Sequence, residues 1–257
     1  MAGADMSSGM LIELVVDGVV RATDGLVNWY LVADDRGVLL VDGGLPRHWG
    51  LLTDALAFLG RSPADVRAVV LTHGHADHTG VARRAQEQLG AEVFVHPLED
   101  RLLRHPLRGV EGERLILAYA LNRSANRALV QMLLGGAARP TKIERWTPLA
   151  DGAQLDQLPG APTLLHTPGH TRGHCSVLLG GHDVLIAGDA LVTYDPYTGA
   201  CGPRLIARAA TWSSEAARRS LDVIEQAPAR ILAPGHGDPW TEGSAQAVRL
   251  ARAAVHG

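Results

Sequence analysis

The nine residues Thr72-His73-Gly74-His75-Ala76-Asp77-His78-Thr79-Gly80 constrain this chain more than any other stretch. Three histidines and an aspartate fall within six positions, directly after the apolar run Ala68-Val69-Val70-Leu71. That run reads as a short buried strand. From Thr79 the pattern turns helical, most clearly from Ala82 to Leu89, and Gly90 stops it. The histidine-rich segment is therefore a strand-to-helix loop. His73 and His75, two apart on extended chain, can point the same way. Asp77 and His78 sit where the chain turns into the helix and can face a second point nearby. One loop offering two ligand clusters suits two metal ions side by side. A helical zinc site would space its histidines four apart, as in HExxH, a pattern this sequence lacks.

Further candidate ligands lie beyond this loop. Thr167-Pro168-Gly169-His170-Thr171 is a tight turn carrying a histidine. Ile186-Ala187-Gly188-Asp189 is a strand ending in an aspartate, and Ala233-Pro234-Gly235-His236-Gly237 a strand ending in a glycine-flanked histidine. Each candidate lies at or just past the end of an apolar run, where open α/β sheets place their sites. Glycine beside a ligand lets the backbone approach a bound group closely.

The ordered set HxHxDH, PGH, GD and PGHG resembles the metallo-β-lactamase-fold superfamily, over roughly residues 10–240, with all seven expected ligand positions filled. The resemblance implies a four-layer αββα sandwich with the site between two halves. It also implies that His73, His75 and His170 hold one metal, that Asp77, His78 and His236 hold the second, and that Asp189 bridges both. Imidazole and carboxylate ligands without thiolate suit zinc, and also iron or manganese; two divalent ions, zinc first, are the cofactors expected. Two such ions about 3.5–4 Å apart can share a hydroxide that attacks a carbonyl or phosphoryl group. Asp77, in this family, also passes the proton to the leaving group.

The function expected is a binuclear metallohydrolase using a metal-bridging hydroxide on a small carbonyl substrate: a thioester, a lactone or another ester. The nearest branch is the glyoxalase II and lactonase-like one. β-Lactamases of the fold generally lack an aspartate at the position of Asp189, which makes that activity the alternative. Glyoxalase II carries a helical C-terminal region, for which the 21 residues after His236 leave little room. Phosphodiesterase or nuclease activity is the other alternative, although family nucleases that share HxHxDH usually carry a large inserted domain or an RNA-binding arm. A non-catalytic relative should have lost ligands, and none is lost here.

Other residues keep two readings open. Asp42, in Val41-Asp42-Gly43-Gly44, either holds a ligand histidine's other nitrogen or simply forms the turn. His174 reads as a supporting or surface residue, and His48, His96, His105, His166, His182 and His256 as ordinary ones. Tyr194 and Tyr197 follow Asp189 closely; as in some lactonases of the superfamily, Tyr194 is the candidate to hydrogen-bond a substrate carbonyl, against plain loop packing. Cys201 reads as a small loop residue.

Organisation follows from the pattern. The motifs run from Asp42 to His236, so one domain over residues 1–257 is the economical reading. Residues 1–9 read as a loose start. Strands are expected at 11–16, 19–22, 27–33, 38–41, 68–71, 91–95, 163–166, 176–179, 184–187 and 230–233. Helices are expected at 49–59, 62–65, 82–89, 115–134, 212–226 and 244–255. The run 38–43, helix, 69–73 echoes 184–189, helix, 231–236, which suggests two similar halves packed sheet to sheet. Segment 98–140 is a helical insertion. It either closes one end of the core or caps the metal cleft and shapes the substrate pocket.

A net charge of −3 gives no reason to expect nucleic-acid or acidic-membrane binding. Cys175 and Cys201 make no disulfide framework and no CxxC pair. There is no basic-then-apolar leader in the first ten residues and no apolar run near the ~20 residues of a membrane span. The expectation is a cytoplasmic enzyme whose partner is a small-molecule substrate, with no nucleic-acid or membrane partner; no feature of the sequence sets an oligomeric state.

Overall fold

The computed structural model describes residues 10–106, 111–113 and 119–254. Alternation along the strands explains its layers. Strand β3 (Asn28–Asp34) turns Trp29 and Leu31 to one face and Tyr30 and Val32 to the other, and all four are buried. Strand β4 (Gly37–Val41) does the same with Val38 and Leu40 against Leu39 and Val41. A strand apolar on both faces must be covered on both faces.

One cover is helical. Helix α1 (Trp49–Phe58) and helix α2 (Ala82–Leu89) pack Leu51, Leu52, Leu56, Ala82 and Ala85 against Trp29, Leu31 and Leu40. Gly90 ends α2 with a φ of 72°. The other cover is a second sheet. Tyr30, Leu39 and Val41 meet Val177, Val184, Ile186, Ile231 and Ala233 across the sandwich. Beyond that sheet, helix α5 (Ser214–Gln226) and helix α6 (Ser244–Ala254) cover Leu185, Ala187 and Leu232 with Leu221, Ile224, Ala247 and Val248. The layers run α, β, β, α. Full burial of a leucine-sized side chain in these seams is worth about 1.5–3 kcal/mol.

The first sheet has seven strands in sequence order. β1 (Leu11–Val16), β2 (Val19–Thr23), β3 and β4 form an antiparallel meander. β4, β5 (Val66–Val70), β6 (Glu92–Val95) and β7 (Thr147–Pro148) are parallel. The second sheet takes β8 (Thr163–His166), β9 (Cys175–Leu179) and β10 (Val184–Gly188) as antiparallel neighbours. Strand β13 (Ile231–Pro234) then lies parallel to β10. The echo between the halves is real: β4–α1–β5 and β10–α5–β13 are both parallel crossovers. A two-strand ribbon, β11 (Val192–Tyr194) with β12 (Cys201–Arg204), stands apart.

The insertion departs from its expected form. A single helix over 115–134 is replaced by a shorter helix; residues 115–118 of that expectation lie outside the described residues, as do 1–9 and His256. Residues 119–122 form a turn, and Asn122 caps a helix that starts only at Arg123 by accepting from Ser124 N at 2.8 Å. An asparagine cap competes successfully with apolar periodicity running through it. A further short helix, α3 (Asp100–Arg104), follows a 3-10 turn at Pro97–Glu99, and the later helix α4 is Arg123–Leu134. No helix among the described residues is long and apolar enough to cross a membrane.

Candidate metal centre

Four strand ends deliver the seven side chains to one place. His73, His75, Asp77 and His78 follow β5, His170 follows β8, Asp189 follows β10 and His236 follows β13. His75 Nδ1 lies 2.7 Å from His170 Nε2, which lies 3.1 Å from His73 Nε2. His236 Nε2 is 3.8 Å and His78 Nε2 4.0 Å from Asp77 Oδ2. Asp189 reaches both groups, with Oδ2 3.4 Å from His170 and 3.2 Å from His236, and Oδ1 3.5 Å from His78. Ligand atoms of His73, His75 and His170, and those of Asp77, His78 and His236, each lie within 4.8 Å of one another.

The ring orientations follow from their other nitrogens. Asp42 accepts from Thr72 N and Thr72 Oγ1, both at 2.8 Å, and from His78 Nδ1 at 2.8 Å. Since the Thr72 hydroxyl donates to Asp42, its oxygen accepts from His73 Nδ1 at 3.0 Å. His236 Nδ1 donates to Leu26 O at 2.6 Å. Three histidines therefore carry Nδ1–H and turn Nε2 inward. Both readings of Asp42 hold at once: it orients His78, and its own φ of 63° makes the turn.

The electrostatics divide the cluster. Burial first, and then neighbouring imidazoles, hold His73 and His170 far below the ordinary histidine range; burial lowers His75 too, against Asp77 and Asp189. Burial thus favours the neutral form of these three rings. At His78 burial also lowers, but Asp189, Asp42 and Asp77 outweigh it and push the ring up to about 10. At His236 Asp189 and Asp77 outweigh burial and push it up to about 9. Burial works against ionisation of Asp189, yet His236 and His78 hold it well below the carboxylate range. A proton on Nε2 of His78 or His236 stands where a metal cation would. Buried His78 Nε2 and Asp189 Oδ1 have no hydrogen-bond partner. Converging imidazole lone pairs beside buried carboxylates fit a cationic group, and the donor set is one that divalent metals take.

Several supporting residues, His174 apart, gave no signal in the sequence. Glu99 is fully buried; its two oxygens accept from Gly74 N and Gly173 N, both at 2.7 Å. Gly74 sits between His73 and His75, and Gly173 between His170 and His174, so one carboxylate ties two ligand loops together. In Pro97-Leu98-Glu99-Asp100 it looks like an ordinary solvated first-turn acid. His174 is buried and accepts from Asp189 N at 3.0 Å through Nε2, while burial pushes it down to about 3. Its Nδ1 must then donate to Thr167 Oγ1 at 2.9 Å; that hydroxyl donates to Ser176 Oγ at 3.0 Å, which donates to Ala187 O. This chain holds 187–189 from both sides. Gly188, with φ 53°, leaves room for it: a Cβ there would meet His174 Nε2 at 2.7 Å. Asp24, paired with Arg47, accepts from Leu26 N and Val27 N at 3.0 Å and so aims the carbonyl that orients His236. Asn28 Nδ2 and Tyr30 Oη donate to Pro234 O at the end of β13, two residues before His236. His48, expected to be an ordinary residue, is fully buried beside Asp24 with Nε2 3.2 Å from its carboxylate.

A cavity of about 390 Å³ opens above the cluster, with His75, Asp77, His170, Asp189 and His236 at its base. Tyr194 is not among the residues lining it. β11 holds Tyr194 opposite Cys201, and Asp195 then turns the chain by accepting from Tyr197 N at 2.9 Å. That turn brings Tyr197, not Tyr194, to the cavity wall. Burial, then the charges of Asp77 and Asp189, raise the Tyr197 hydroxyl above its ordinary range. The 98–140 segment forms much of the opposite wall through Tyr119, Ala128, Leu129 and Met132.

Residues 22–236 match the model of the metallo-beta-lactamase superfamily, and the chain belongs to that superfamily, a group of metallo-hydrolases. A metallo-beta-lactamase family protein of Thermus thermophilus superposes with a TM-score of 0.69 at 28% identity, covering 95% of this chain and 81% of its own. An uncharacterized protein of Mycobacterium leprae is 28% identical over 84% of this chain and 89% of its own length. A protein of Bacillus subtilis named a probable metallo-hydrolase, YflN, is 24% identical over 69% of this chain and 66% of its own.

Proposed function

We propose that the protein is a binuclear metal-dependent hydrolase that cleaves a small carbonyl substrate: a thioester, a lactone or another ester. The observation that carries this reading is Asp189, whose two oxygens reach His170 on one side and His78 and His236 on the other. His73, His75 and His170 would hold one ion, Asp77, His78 and His236 the second, and Asp189 both. Two divalent ions held there, zinc first, would supply Lewis acidity and make water nucleophilic near neutral pH.

The chain's own residues do the rest. Hydrolysis puts the oxygen of water on the acyl carbon and a proton on the departing sulfur or oxygen. Asp77 lies at the cavity base and is the group to carry that proton. Tyr197, kept a neutral phenol and lining the same cavity, would be the donor to the substrate in place of Tyr194. Asp42, Thr72, Leu26 O and Glu99 hold ligand rings and loops in position. The two free cysteines, Cys175 buried and Cys201 exposed, suit a reducing cytoplasm.

The test is hydrolysis by zinc-loaded protein of a thioester, a lactone, a β-lactam and a phosphodiester, each with and without chelator. Chelator-sensitive turnover of the thioester or lactone is expected. Turnover of the β-lactam alone, or of the phosphodiester alone, would move the protein to the alternative activities and contradict this reading.

A further inference from the structure

The wall of the cavity differs from its base in chemistry. Helix α4 contributes Ala125, Ala128, Leu129 and Met132, and Ile206 and Tyr197 face them. Among the described lining residues there is no lysine or arginine; every charged or ionisable group except the two tyrosines belongs to the ligand cluster. Leu26, at the base edge, packs with Val27, Ala128 and Met132, so the wall is fixed to the loop that orients His236. At about 390 Å³ the space is of a size for a small molecule.

We infer that the substrate is an uncharged ester or thioester with an apolar arm that lies along α4. This rests on the hydrolase reading above and names its substrate class. An alkyl arm leaves water for apolar side chains and gains by every methylene that enters. A carboxylate or phosphate at the far end of that arm would lose its hydration among alanine, leucine and methionine, with no lysine or arginine among the described lining residues to pair it. Leu129 is the residue where selectivity can be changed without disturbing the fold, since it lines the cavity and is 51% exposed.

The experiment uses two ester series from two to eight carbons, one extended on the acyl side and one on the leaving side. An acyl series ending in a carboxylate is run beside them. kcat/KM should rise about threefold to fourfold per methylene in at least one alkyl series until the cavity is full. The carboxylate-ended compounds should be at least tenfold poorer than alkyl ones of equal length. Leu129→Lys should narrow or reverse that preference by at least tenfold. Leu134→Lys, on the same helix but 73% exposed and outside the cavity, should leave it unchanged.

A second readout needs no turnover: calorimetric binding of hexanamide and octanamide against acetamide, with and without chelator, weakened by Leu129→Lys. Length-dependent amide binding without ester turnover would support the pocket while removing the hydrolase reading. Ester turnover with both alkyl series flat, or with the carboxylate-ended compounds preferred, would overturn the pocket inference and leave the hydrolase standing. Amide binding that ignores both chain length and Leu129→Lys would also overturn it.

Discussion

The base and the wall of one cavity are built by different rules. At the base, nearly every side chain is buried and most are held by a second polar group: Asp42 on His78, Thr72 on His73, Leu26 O on His236, His174 on the Asp189 backbone. The wall is an apolar helix face, and Leu129, Val130, Leu133 and Leu134 of that helix are at least half exposed. The base rests on strand ends, which a sandwich core fixes in place; α4 rests on the small cluster of Leu26, Val27, Ala128 and Met132. On the proposed function, reactivity would sit on the strand ends and selectivity on the helix least tied to the core.

The largest effect expected is at the base. Asp77→Asn should lower kcat by about 10²–10⁴-fold, read by steady-state turnover beside metal content. A wall variant such as Leu129→Ala should change KM more than kcat. If the two variants lose kcat equally, the division between base and wall fails.

Next comes the tie beneath the base. Glu99→Ala leaves Gly74 N and Gly173 N without their acceptor and should weaken zinc binding about 10–100-fold, read by competition with a chromophoric chelator. Glu99→Gln keeps an acceptor for only one of the two amides and should fall between. Unchanged affinity in both would make Glu99 a mere filler of space.

A third expectation concerns pH. In the metal-free protein His78 and His236, raised to about 10 and about 9, are protonated at pH 7. A metal needs their Nε2 lone pairs, so loading should release up to two protons per chain and affinity should rise with pH. For the same reason the metal-free protein loses stability as pH climbs from about 6.5 through about 10, since raised pKa values stabilise only while the proton is bound. Calorimetry in buffers of different ionisation enthalpy reads the proton count; none released would contradict the charge pattern at the base.

The smallest effect is on the outer face of α4. Leu134→Ser should shift stability by less than about 0.5 kcal/mol in chemical denaturation. A larger loss would show that this face is covered in solution.

Legibility in the sequence follows the same division. The seven clustered side chains were readable because strand ends, glycines and histidine spacing are local signals, and the echo of 38–43, helix, 69–73 by 184–189, helix, 231–236 pointed to two halves packed sheet to sheet. What escaped is non-local. Glu99 matters through Gly74 and Gly173, partners distant in the sequence, and the supporting reading of His174 could not name Asp189 N as what it holds. Tyr194 and Tyr197 differ by three positions, and only the Asp195 turn decides which one faces the cavity. In the insertion, apolar periodicity suggested one helix through 115–134, while Asn122 starts it at Arg123.

The measurement that tests the central claim most directly is the zinc content of purified, zinc-loaded protein, wild type beside Asp189→Ala. Two zinc ions per chain in the wild type, stripped by chelator together with activity, and at most one in the variant, is the result expected. Two ions retained in Asp189→Ala with full activity, or none bound by the wild type, would contradict the binuclear centre.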